Sequence, residues 1–152
     1  MPQDTTRPRR RATPTERSLV VGYLSAVAVD LARRGIRVRA LNTEESDTPA
    51  GTLTLDPPMR GAAPWTPTRL RWEPSSGWSA SLSHRDHTQL DAVTRYLSSQ
   101  RSLPTPSAVA HFVAALYADP DTPWACATPT RRRPVGRQLL VKTLSRFAPL
   151  GT

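Results

Sequence analysis

Histidine, aspartate and cysteine carry most metal and nucleophile chemistry. The run His84-Arg85-Asp86-His87 puts two imidazoles and a carboxylate side by side, a partial ligand set for a divalent metal. A first shell needs a further protein ligand, and the only other histidine, His111, falls on a separate helix-patterned segment. The run therefore reads as a polar loop, and no metal is expected. Cys126 is the only cysteine. Beside Trp124 and Ala127 it reads as a small buried hydrophobe, not as a nucleophile served by His111 or His84. Glu44, Glu45 and Asp47 share the Ser/Thr-rich stretch "NTEESDTPAG", the setting of a solvated patch and not of an acid/base pair. There is no Gly-rich phosphate loop and no G-x-S-x-G elbow, and the chain holds only seven glycines. The residues thus lead to the expectation of a protein that is not an enzyme and takes no cofactor.

Charge is the next candidate for function. The net charge is +9, and its placement is uneven. Residues 18–130 hold ten basic and ten acidic side chains and are neutral, whereas residues 1–17 carry +3 and residues 131–152 carry +6. A neutral body with basic ends is suited to a polyanion. The residues placed to neutralise phosphates are Arg9, Arg10 and Arg11 at one end, and Arg131, Arg132, Arg133, Arg137, Lys142 and Arg146 at the other. Neither end matches a zinc finger, a homeodomain or a helix-turn-helix, so any nucleic-acid contact is expected to be independent of base sequence. The chain has no run of about 18 apolar residues, and its first residues lack an apolar signal core. With a single cysteine, a reducing cytoplasm is the expected compartment.

Elements must position these groups. Residues 1–14, with three prolines and a basic cluster, are expected to be disordered. Thr15 caps a helix running to Arg34, in which Val20, Leu24, Val27 and Leu31 share one face, widened by Leu19 and Tyr23. Arg33 and Arg34 suit the last turn, and Gly35 supplies the stop. In "IRVRAL", Ile36, Val38 and Ala40 alternate with Arg37 and Arg39 as a half-buried strand. "TLTL" repeats the alternation, and the four prolines of residues 57–68 predict a loop. Residues 86–99, with Leu90, Val93 and Leu97, predict a short helix. Thr105 and Pro106 begin a clearer one, with Val109, Phe112, Val113 and Leu116 inward. A last helix, about Val135 to Phe147, carries a narrow stripe of Leu140, Leu144 and Phe147 that is expected to dock a protein partner.

The stretch "LRWEPSSGW" closes a hairpin. A three-residue connection, Ser75-Ser76-Gly77, pairs Trp72 with Ala80 and Leu70 with Leu82. This sets every apolar side chain on one face and Arg71, Glu73, Ser79, Ser81 and Ser83 on the other. The tryptophans then belong to a covered face, since a base-stacking platform would interleave them with arginine on an exposed one.

The order of these motifs is itself a signature. Leu70, Trp72, Gly77 and Trp78, then Pro104, Pro106, Val109, Phe112 and Val113, follow a long helix and short strands. This pattern resembles a family of small Streptomyces-type actinobacterial proteins of unknown function. The resemblance covers roughly residues 18–118 and implies no catalytic or binding residue. The expected architecture is α+β: an antiparallel sheet of about four strands, packed on one face by helices 15–34 and 106–118. One domain spans residues 15–130, with basic ends at 1–14 and 131–152. The expected function is a non-catalytic interaction or regulatory module. The alternative is an accessory nucleic-acid binder, linked to plasmid maintenance or transfer.

Overall fold

The computed structural model describes residues 14–44, 48–56, 65–84, 93–98, 103–129 and 136–147. The elements are α1 (Pro14–Arg33), β1 (Val38–Thr43), β2 (Gly51–Leu55), β3 (Trp65–Glu73), β4 (Gly77–His84), β5 (Val93–Leu97), α2 (Pro106–Ala118), β6 (Ala125–Cys126) and α3 (Arg137–Leu144). A 3₁₀ turn, Ser145–Phe147, follows α3. The six strands form one antiparallel sheet in sequence order, β1-β2-β3-β4-β5-β6. The α+β class holds, with six strands where about four were expected.

The first helix starts at Pro14, one residue ahead of the expected cap. Its end is a Schellman motif. The Ile36 amide donates to the Leu31 carbonyl at 2.9 Å and the Gly35 amide donates to Ala32 at 3.0 Å. Gly35 takes the left-handed φ of +79° that this motif demands. Thr105 caps α2 as its sequence predicts, its hydroxyl accepting from the Ala108 amide at 3.2 Å.

The hairpin differs from expectation by two residues. Glu73 pairs with Gly77, Trp72 with Trp78 and Leu70 with Ala80. The three-residue turn is therefore Pro74-Ser75-Ser76, and Gly77, at φ +74°, opens β4. Proline decides this: its fixed φ suits a turn, and it has no N–H for a ladder position. A shift of two preserves the faces. Trp72 and Trp78 are fully buried on the covered side.

Three strand expectations are corrected. Residues 65–68 belong to β3, not to a loop. Pro67 is tolerated there because the register shifts between Pro67 and Arg69. A second shift, between Val38 and Ala40, turns Ala40 outward and brings Leu41 opposite Leu53. Val93–Leu97 is a strand, not part of a helix. A spacing of four puts Val93 and Leu97 on one face under either period, and the β-branched and aromatic residues between them favour the strand. The remainder of the expected helix, residues 86–92, lies outside the described residues. So do the N-terminal residues 1–13.

The three α-helices of the described residues lie on one side of the sheet, α3 packing on α1. Val20, Tyr23, Leu24, Val27 and Leu31 of α1 pack with Val109, Phe112, Val113 and Leu116 of α2 over Leu53, Leu70, Trp72, Trp78 and Leu82. A Cβ at Gly51 would collide with the Leu24 side chain, so glycine lets α1 lie close on β2. Tyr23 joins the layers. Its hydroxyl donates to the Pro104 carbonyl at 2.6 Å and accepts from the Trp78 indole at 2.9 Å. Its ring meets Trp72, Trp78 and Phe147 with centroids 5.6, 5.9 and 5.0 Å away.

Candidate functional site

Among the described residues the opposite face of the sheet carries no helix, and its side chains follow from the register. One row runs Asn42, Thr52, Arg71, Ser79, Tyr96, Cys126 across all six strands. The next runs Ala40, Thr54, Arg69, Ser81, Thr94 across five. Almost every position is polar, as alternation on a half-covered sheet requires. Over this face lies an open hollow of about 500 Å³. Its floor is set by Arg69, Arg71, Ser79, Ser81, Thr94 and Tyr96, and its rim by Glu44, Glu73, Ser76 and Pro129.

One half of the hollow is tied together. Arg71 grips Glu44 with two parallel bonds, Nε to Oε1 and Nη2 to Oε2, both 2.8 Å. Its Nη1 reaches Glu73 Oε2 at 3.1 Å, and Ser76 Oγ donates to the other Glu73 oxygen. Such forked pairs are the strong, directional kind of ion pair. The hydrogen bonds from Arg71 hold the Glu44 carboxyl below its ordinary range, with the nearby Arg69 charge adding to the effect. The hydrogen bond to Glu44 raises the Arg71 guanidinium further above its ordinary value.

The other half is unspent. Arg69 is exposed. Among the described residues it makes no hydrogen bond or ion pair, and the side-chain hydroxyls of Ser79, Ser81, Thr94 and Tyr96 likewise have no hydrogen-bond partner. The carboxylates of the hollow are both held by Arg71, so among the described residues the groups without a contact partner are the Arg69 cation and four hydroxyls. This half can bind and orient an oxygen-rich ligand.

The residues singled out from the sequence fall elsewhere. His84 ends β4, while Asp86 and His87 lie outside the described residues. His111 is exposed on α2, its ring edge-on to Trp124 at 4.9 Å. Among the described residues no three His, Cys, Asp or Glu side chains gather as a metal-ligand set. Cys126 is half-buried on β6, opposite Tyr96. Of the basic ends, Arg9, Arg10, Arg11, Arg131, Arg132 and Arg133 lie outside the described residues. Arg137 begins α3, and Lys142 and Arg146 are exposed.

The stripe expected to dock a partner is already occupied. Leu140 is 5% and Leu144 0% exposed, both inside the core, and Phe147 packs on Tyr23. A narrow apolar stripe fits any apolar surface, and the nearest one is the chain's own α1. The sequence reading also passed over Glu44 as part of a solvated patch. Its partner, Arg71, stands 27 residues away. The β1-β2-β3 meander brings the two together.

The chain is thus a one-sided α+β sheet with a polar, concave open face. A family described as being of unknown function, DUF6292, matches residues 23–115, and the chain belongs to it. The match runs from within α1 to within α2, so it includes the hairpin and the arginines of the open face. No curated protein and no solved structure matches the chain. No helix among the described residues is long and apolar enough to cross a membrane.

Proposed function

We propose that this chain is a non-catalytic interaction module that receives its partner on the uncovered face of the sheet. The observation that carries this reading is the unequal treatment of the two faces. Among the described residues the helices lie over one, and the other is a hollow whose Arg69 and hydroxyls have no contact partner. A polar floor discriminates well, because a ligand that fails to meet its donors leaves them desolvated and unpaired. A cytoplasmic setting is part of this reading, supported by the lone Cys126.

A photo-reactive residue placed at Ser81 tests it, with a second at Val29 on the outer side of α1 as the control. In cells that make the protein, the Ser81 probe is expected to yield a discrete adduct by mass spectrometry and the Val29 probe none. An adduct at Val29 with none at Ser81 overturns the reading.

A second reading rests on a separate observation. On α3 and the turn after it, Lys142 and Arg146 face solvent while Leu140 and Leu144 face the core. The charges of these two residues are thereby presented outward, as an accessory nucleic-acid contact requires. A place in plasmid maintenance or transfer belongs to this reading. So does an actinobacterial source, supported by the 20 arginines against one lysine. Its test is binding to a random DNA duplex across a salt series. The affinity is expected to fall about linearly in log–log form, with a slope near −0.9 per phosphate contacted. Salt-independent binding, or none at low salt, removes it.

A further inference from the structure

We propose that the open face binds a small phosphate monoester, whose phosphoryl oxygens are held by Arg69, Ser81 and Thr94. The inference rests on the open face being the binding surface and names what that surface takes. Charge decides the class. Glu44 and Glu73 are both held by Arg71, so among the described residues Arg69 is the guanidinium of the hollow without a contact ion pair, its charge reaching Glu44 only through space. Its register neighbours Thr54 and Ser81, and Thr94 one strand further on, carry hydroxyls, which can all donate. The ligand group is therefore an oxyanion.

Geometry decides between oxyanions. Arg69, Ser81 and Thr94 are direct register partners on three adjacent strands, and such strands lie about 4.8 Å apart. Donors thus come from three separate positions, with the long arginine reaching in from one side. A tetrahedral phosphate offers an oxygen to each, whereas a planar carboxylate has only two oxygens to share. Tyr96 stands two residues beyond Thr94 on the same face, about 6.6 Å along the strand. Its half-buried ring gives the organic body of the ester a flat surface to lie on.

Adenosine monophosphate, inorganic phosphate and adenosine are the probes, each titrated to about 10 mM, the range in which weak sites saturate. The readout is the amide spectrum of the ¹⁵N-labelled full chain at constant ionic strength. Saturable shifts centred on Arg69, Ser81 and Thr94 are expected with the monophosphate, weaker ones with phosphate, and none with adenosine. Arg69→Gln is expected to weaken the monophosphate by about tenfold or more, the cost of a lost charge-assisted bond. Thr94→Val is expected to weaken it severalfold, and Arg34→Gln, at an exposed position at the end of α1, to leave it unchanged. The unliganded spectrum of each variant reports that it is folded. Wild-type affinity in Arg69→Gln, or lost affinity in Arg34→Gln, overturns the proposal. If the monophosphate leaves the spectrum unmoved while the Ser81 cross-link forms, the ligand class is wrong and the binding face stands. If both fail, both readings fall.

Discussion

Tyr23 and Arg71 each hold together groups that are far apart in the chain, and each makes a prediction. The Tyr23 hydroxyl serves both the Trp78 indole and the Pro104 carbonyl. Tyr23→Phe keeps the ring and leaves both of those buried groups unpaired. It is expected to cost about 1–3 kcal/mol in urea unfolding. Burial raises the Tyr23 phenol well above its ordinary 10.0, so the unfolded chain ionises first in alkali. Stability is complete below that pH and falls as the pH rises above it. Arg71 has the opposite effect on Glu44. The folded carboxyl titrates below its ordinary 4.5, so the unfolded chain takes up the proton first as acid is added. The stability that the pair supplies is present above pH 4.5 and is lost as the pH falls through the depressed value. Both side chains are partly exposed, so Glu44→Gln is expected to cost about 1 kcal/mol or less at neutral pH. In that variant the urea midpoint should fall less steeply below pH 4.5. At this scale the apolar positions were legible in the sequence, because burial follows a local period. The Glu44–Arg71–Glu73 cluster was not, because its partners meet only once three strands have paired.

Element α3 shows how a local pattern fixes a helix without fixing its role. Its stripe of Leu140, Leu144 and Phe147 is readable from spacing alone, and so is its polar side. What the stripe packs against depends on the distance back to α1, which no period encodes. In the fold, Leu144 is fully buried. Leu144→Ala is expected to cost about 2–5 kcal/mol in urea unfolding, the range for emptying a core leucine site. A docking stripe free in solution would show almost no loss. Gly51 offers a second test on the approach of α1 to β2. Gly51→Ala forces the Leu24 side chain aside and is expected to cost about 1–3 kcal/mol, as overpacking does. The strands teach the same lesson. Alternation sorted the faces of the hairpin correctly even with the register two residues off, because faces depend only on parity. β5 was misread because four residues span a common face in helix and strand alike. β6, only two residues long, has no period to read.

For the whole molecule, the division between a helix-covered face and an open polar face is the feature that bears on function. The apolar residues of β3 and β4 are legible as one covered face, and the opposing Arg, Glu and Ser positions are legible as the other. The sequence could not show that the helices among the described residues all lie on the first face, or that a hollow lies over the second, because both depend on how distant elements come to rest. The most direct test is a residue-resolved footprint. Amide spectra of the ¹⁵N-labelled chain would be recorded as extract from cells that make it is added. The open-face account predicts shifts or line broadening concentrated on β3, β4 and β5, with Arg69, Ser81 and Thr94 among the strongest, and the outer side of α1 silent. A footprint on α1 or α3 with β3–β5 unchanged would contradict it.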